Sequence, residues 1–356
     1  MTFTITPLHV PDAVDAELRE HARILTSSYT RDAGIHLLEW TAEGLLAQLQ
    51  NTTYSTVRAF TAHDGERIVG AASLSFDNST SHEVELVVAT DPDYADASLT
   101  DALYEAVEQE AAALGRDRLV DYIATRGDAS TLDETDLLRP TSGIGCMPRH
   151  DPRARLMLDR GYGLGLVERA SVFARPEDPS GIQTILDDAL AFAGDDYAPV
   201  WWSGRTPDEY VDAYAYAVSR MSTDVPSGDI DVEEQAWDAD RIRARDERHE
   251  RVGHLFCVAA VVHRPTGTMV AFNELVVGSD RAKPTENGGT LVLAEHRGHR
   301  LGTVVKALGL VRWLDVAADS PSVFTFNAEE NRPMLDVNEA VGFVPAFWEG
   351  TWSKQL

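Results

Sequence analysis

The chain has 356 residues, 44% of them hydrophobic, with 58 Asp plus Glu against 31 Lys plus Arg for a formal net charge of −27. That length accommodates two domains of ordinary size, and the hydrophobic fraction excludes a disordered chain. The acidic surplus repels nucleic-acid phosphates and anionic lipid, so neither is expected as a partner.

Two cysteines, Cys146 and Cys257, stand far apart with no pairing or metal spacing, and no metal is expected. The opening residues lack the basic head and apolar core of a signal peptide, and no stretch approaches a membrane span, so a cytoplasmic location is expected.

In chain order, alternation predicts strands over 56–62, 67–76 and 83–90, with the turn His63-Asp-Gly-Glu66 between the first two. A helix follows over 99–114, apolar at Leu99, Ala102, Leu103, Ala106 and Val107 and stopped by Gly115. A second helix runs into Gly161-Tyr162, and the Pro- and Gly-dense stretch 174–181 marks a linker. Trp201, Trp202 and the helix holding Tyr214 and Tyr216 form either an aromatic wall for a substrate or a core staple. Residues 238–251, rich in Arg, Asp and Glu, read as an exposed helix laced by i,i+4 ion pairs. Strands over 255–262, 268–277 and 290–293, a helix over 303–316, a strand over 322–326 and a short helix closing at Gly342-Phe343 complete the chain. The same order of elements thus occurs twice, which predicts an α/β chain of two domains, 1–175 and 176–356.

Between the strand at 290–293 and its helix stands His296-Arg-Gly-His-Arg-Leu-Gly302. A strand that passes through a basic, Gly-punctuated turn into a helix gathers unpaired backbone N–H groups and the positive end of the helix dipole on one spot, a cradle for phosphate. Gly298 and Gly302 let a diphosphate approach the main chain, while Arg297, His299 and Arg300 add charge from the sides.

This loop resembles the acetyl-CoA loop of the GCN5-related N-acetyltransferases (GNAT), with Arg297 and Gly302 in the family's positions and Arg300 where its first Gly stands. The resemblance extends to Asn327, Asn331 and the ending Gly342-Phe343, and the tandem plan is similar to that of the mycothiol synthases. It implies two tandem GNAT-like domains, each a mixed, mostly antiparallel sheet flanked by helices, the second binding acetyl-CoA as co-substrate. The implied contacts are Leu291, Val292 and Leu293 for the pantetheine and thioester arm. Arg297, Gly298, His299, Arg300, Leu301, Gly302 and Thr303 are implied for the diphosphate, with Asn327 and Asn331 beside the arm.

The resemblance further implies acetyl transfer to a primary amine of a small molecule by direct attack in a ternary complex, in a monomer or homodimer. Glu274 and Glu286 are the candidate general bases, acting directly or through water. The family's usual acid, a Tyr seven residues after the helix-opening Asn, is replaced by Asn338, which has no acidic proton to give. A non-catalytic acyl-CoA-binding or regulatory module is therefore the competing expectation. In the first copy Ala95, Ser98 and Thr100 fall at the loop's Arg, Gly and Gly positions among Asp91, Asp93 and Asp96, whose charges repel a diphosphate, so that copy is expected to be degenerate.

Overall fold

The computed structural model describes residues 3–94, 96–221 and 235–356, which leaves the expectation for Ala95 outside the described residues. In chain order the first elements are β1 (Thr4–Pro7), α1 (Ala16–Ala33), α2 (Ala42–Gln50), β2 (Ser55–Asp64), β3 (Arg67–Asp77), β4 (Glu83–Thr90), α3 (Ala97–Ala113) and β5 (Arg118–Thr125). The small ribbon β6 (Leu137–Leu138) and β7 (Met147–Pro148), then α4 (Pro152–Asp159) and β8 (Gly163–Ala174), follow. Next come α5 (Ser180–Ala193), β9 (Tyr197–Ser203), α6 (Val211–Ser219), α7 (Ala239–Arg251), β10 (Leu255–His263), β11 (Thr268–Val277) and β12 (Thr285–Val292). The chain closes with α8 (Leu301–Val316), β13 (Ser322–Ala328), α9 (Arg332–Ala340) and β14 (Val344–Gln355).

Two compact units result. Unit 1 takes the chain up to Glu168 and regains Phe347–Leu356. Its strands run in the order β1-β2-β3-β4-β5-β14, antiparallel except for the β4–β5 pair. Helix α1 packs on β3 and β4 from one face, and α3 on the same strands from the other. Alternation explains the placement: Val84, Leu86 and Val88 of β4 turn with Leu103, Tyr104 and Val107 of α3 into one apolar core.

Unit 2 holds Arg169 onward, with strand order β9-β10-β11-β12-β13-β8 and a parallel step only at β12–β13 among the pairings with a described register. Helix α8 lies across β10 and β11, burying Val304, Val305, Leu308 and Trp313 in the core of unit 2, with Gly309 facing Ala259 and Leu275. Apolar residues at a helical period on α8 thus meet a sheet whose central strands are apolar on both sides.

Two expectations need correction. The two compact units divide between Glu168 and Arg169, partway along β8, rather than at 175–176, where residues 175–179 join β8 to α5. Nor is 176–356 one domain: from Trp348 to Gln355, β14 pairs residue by residue with β5, so the chain's last strand completes unit 1. The helix over 238–251 is not simply an exposed, pair-laced surface either. Arg241, Arg245 and Asp246 are buried, with the Arg245 guanidinium 4.9 Å from the Trp237 ring centre and 4.6 Å from that of Phe256. Stacking on aromatic faces lets a guanidinium leave water, which a charge pattern cannot reveal.

Candidate functional site

Strands β12 and β13 pair only through Thr285 with Val323 and Glu286 with Phe324. Beyond Glu286 no further β13 partner is paired, while the other edge of β12 stays on β11 through Thr290, Leu291 and Val292. A strand edge that loses its partner exposes backbone donors and acceptors ready for an extended ligand.

At the end of β12 the chain turns through Leu293, a single 3₁₀ turn over Ala294–His296 and Gly298 at φ 87°. Arg300 then opens α8 in the left-handed region at φ 57°, ψ 21°. It is the one non-glycine with positive φ among the described residues. No side chain caps α8. Its leading N–H groups therefore keep their full capacity to bind an anion, and the helix dipole adds to it.

A cleft of about 770 Å³ opens at this helix start. Of the residues expected to hold cofactor, Leu291, Val292, Arg297, Gly298, Arg300, Leu301, Gly302, Thr303 and Asn331 line it. Three do not. Leu293 is buried in the core of unit 2, and the His299 ring lies 5.1 Å from Tyr197, outside the cleft lining. Asn327 instead accepts a 2.6 Å hydrogen bond from Asn338 Nδ2.

Arg297 Nε donates to the Val292 carbonyl at 3.3 Å, and the Arg300 guanidinium rests 4.3 Å over the Phe192 ring. Asn331 both lines the cleft and caps α9, accepting from Met334 N at 3.4 Å. The pattern did not single out Thr290, Glu330, Pro333, Met334 and Val337 as lining residues. The spacing of 330, 333, 334 and 337 marks one face of a helical turn, a signal available in the sequence.

The candidate bases lie on the sheet face that α6 covers. Glu274 opposes both Gly288 and Gly289 at a β-bulge, since Asn273 pairs with Thr290 and Leu275 with Asn287. A Cβ on Gly289 would stand 2.9 Å from Glu274 Oε2 and 3.2 Å from the Phe272 ring, so a larger residue there would push the Glu274 carboxylate from its place. Glu274 accepts from Gly289 N at 3.2 Å, from Arg245 Nη1 at 3.1 Å and from the Tyr214 hydroxyl. Tyr214 is fully buried, and desolvation followed by the Glu274 charge holds its phenol well above the usual range against the opposing effect of Arg245.

Glu286 shares this face. Desolvation, then the Glu274 charge, raises its carboxyl above the ordinary value. Trp202 packs in the core, 5.8 Å from Tyr210 and 5.3 Å from Tyr214, which answers the wall-or-staple question for Trp202 in favour of the staple. The stretch around it is strand β9, paired to β10 with Trp201 opposite Ala259.

On the opposite sheet face Lys306 of α8 is fully buried and donates to Asn287 Oδ1 at 2.7 Å. Burial pulls its ammonium down to about 7. A lone cation inside the apolar run Val304–Leu310 was the available signal, and it went unused.

Asn338 is buried with Oδ1 lacking any partner. In unit 1 the corresponding helix start is closed. Asp96 caps α3, accepting from Ser98 N at 2.9 Å and Ser98 Oγ at 2.6 Å, so the donors that would meet a phosphate already meet a carboxylate. Asp91 is tied to Arg23 at 2.9 Å and Arg67 at 3.0 Å.

No family model matches the sequence, and no curated protein matches it either. Solved structures do. A tandem GNAT protein from the clavulanic acid biosynthesis pathway superposes with a TM-score of 0.73 at 20% identity, covering 99% of this chain and 98% of that one. A GCN5-related N-acetyltransferase from Sphaerobacter thermophilus follows at TM-score 0.60, 12% identity and 99% and 95% coverage. A GCN5-related glucosamine N-acetyltransferase region of a fungal multi-domain GH3 β-N-acetylglucosaminidase gives 0.58 at 13% identity, with 99% of this chain on 38% of that one. The chain has the tandem GNAT fold. Among the described residues no helix is long and apolar enough to cross a membrane.

Proposed function

We propose that this protein is an N-acetyltransferase that holds acetyl-CoA in the unit 2 cleft and passes its acetyl group to the primary amine of a small molecule. The observation that carries this reading is the juxtaposition of an uncapped helix start, a basic turn and an unpaired strand edge around one cleft of about 770 Å³. A diphosphate suits the N–H groups of Leu301, Gly302 and Thr303, and an amide-bearing arm suits the open edge of β12. The orphaned Asn338 Oδ1 is a further acceptor that a bound amide could satisfy.

Acetyl-CoA supplies an activated acyl thioester. The chain must accept the proton of the incoming ammonium and orient the amine. Glu286, whose carboxyl is raised, is the better proton acceptor of the two candidates, because Glu274 is already committed to three donors. Glu274 then fixes the bulge at Gly288–Gly289 beside the reacting arm. Asn338 donates to Asn327 and cannot serve as the acid, so the departing thiolate takes its proton from water.

That same absence of an acid favours a second reading, a protein that binds an acyl-CoA without turning it over. Release of free thiol from acetyl-CoA, followed across a panel of primary amines, separates the two. Amine-dependent release that falls at least ten-fold in Glu286→Gln supports transfer. Binding with no release from any amine supports the non-catalytic reading.

A further inference from the structure

Unit 1 carries no phosphate cradle, yet it has a chemistry of its own on the face of its sheet covered by α1. Tyr122 on β5 stands opposite Thr351 on β14, and Glu349 lies two residues along β14, so all three side chains share that face. Tyr29 of α1 donates its hydroxyl to Glu349 at 2.7 Å, which fixes the face, and Tyr122 reaches Glu85 of β4 at 3.4 Å. Glu83 lies two residues before Glu85 on β4, and Glu168 ends the unit on β8.

Desolvation first, then the charges of Glu85, Glu168, Glu83 and Glu349, push the Tyr122 phenol well above its ordinary range. Four carboxylates therefore gather around one ring. Arg118 lies 3.5 Å from Glu83. Glu168 has no hydrogen bond or ion pair to any described residue.

Such a cluster is costly unless something compensates it. Glu168 is raised to about 7 by desolvation, and Glu349 to about 8 by desolvation and then by Glu168. The place is also open: Glu85 is exposed and Tyr122 is 37% exposed. An independent observation points to a guest. The Thr351 hydroxyl, on a residue only 3% exposed, has no hydrogen-bond partner and sits on this same face. Among the described residues no His, Cys, Asp and Glu group has an arrangement that could hold a metal ion.

We infer that unit 1 binds an organic ammonium ligand at Glu85, Glu168 and Glu349, with Tyr122 as an aromatic floor and the Thr351 hydroxyl as an acceptor. The carboxylates supply charge, the ring face receives alkylammonium carbons, and the orphan hydroxyl gains its partner. This site stands whether or not unit 2 transfers acetyl groups.

The test is calorimetric titration of 1,4-diaminobutane into the full-length protein at about pH 8.5 and about pH 6, with butane-1,4-diol as the uncharged control. The expected result is saturable binding at the higher pH, at least ten-fold weaker at the lower one, where Glu168 and Glu349 hold protons, and no binding of the diol. Glu168→Gln is expected to weaken the diamine at least ten-fold, and Thr351→Val, nearly isosteric and free of the orphan hydroxyl, at least three-fold with no loss of melting temperature. Glu274→Gln in unit 2 should leave this binding unchanged. Absence of diamine binding at either pH overturns the inference. So does binding that follows Glu274→Gln while ignoring Glu168→Gln and Thr351→Val.

Discussion

At the scale of single residues, the departures from a generic α/β surface concentrate where the cleft is. Arg300 occupies a left-handed conformation that costs an L residue roughly 1–2 kcal/mol relative to glycine. Its stack on Phe192 recovers part of this. Arg300→Gly should therefore be more stable than Arg300→Ala by about 1 kcal/mol, measurable by denaturant unfolding, whereas at an ordinary helical position the order reverses.

Lys306 gives a pH signature. Its folded value is about 7 against an ordinary 10.5, so between those values the unfolded chain binds the extra proton and stability rises with pH. The slope approaches about 1.4 kcal/mol per pH unit in that window. Lys306→Met removes the rise, and its stability relative to the parent should be greatest near or below neutrality and decline through the alkaline range. A parallel pair of curves would show that Lys306 is not held neutral.

Not every one of these residues was legible. The loop from Arg297 to Gly302 was, because basic residues and glycines between a strand and a helix have few other uses. The Tyr214, Arg245 and Glu274 network was not, since it joins α6, α7 and β11 across the sheet face, and no local spacing connects them.

At the scale of elements, most boundaries followed from pattern. The strands at 83–90 and 268–277 have the bounds that alternation gave, and the helices read at 99–114 and 303–316 begin two residues earlier. Among the elements that were read, β12 departs most, read as 290–293 and found to begin at Thr285, while α1, α2, β5 and α5 were not read at all. Asn287-Gly288-Gly289 reads as a loop by composition, but here the glycines are the bulge that lets β12 pass Glu274.

Helix α8 supplies a matching prediction. A Cβ on Gly309 would stand 2.9 Å from Asn273 Nδ2. Glycine-to-alanine inside a helix ordinarily stabilises by about 0.5–1 kcal/mol, but overpacking here should reverse the sign and cost roughly 1–3 kcal/mol. Thermal unfolding of Gly309→Ala decides which effect wins. A gain in stability would mean that Asn273 yields freely.

At the scale of the whole molecule, repetition made the two-unit plan readable, while the fate of the last strand was invisible. An apolar, alternating segment at the end of a chain specifies that it pairs, not with which strand. Its partner is β5 of unit 1, through the run Trp348 to Gln355. Deletion of 347–356 should therefore damage unit 1, with amide exchange accelerating across Arg118–Thr125 while β10 and β11 keep their protection. Faster exchange confined to β10 and β11 would contradict the assignment of that strand.

The central claim is that the two copies share a fold but only the second retains an anion cradle, because Asp96 closes the helix start of unit 1 while that of unit 2 has no side-chain cap. Calorimetric titration of acetyl-CoA into the intact protein tests it most directly. One site per chain, weakened by about 2 kcal/mol in Arg297→Ala and unaffected by Ser98→Ala, is the predicted result. Two sites would contradict the closure of the first copy, and no binding would remove the acetyl-CoA assignment itself.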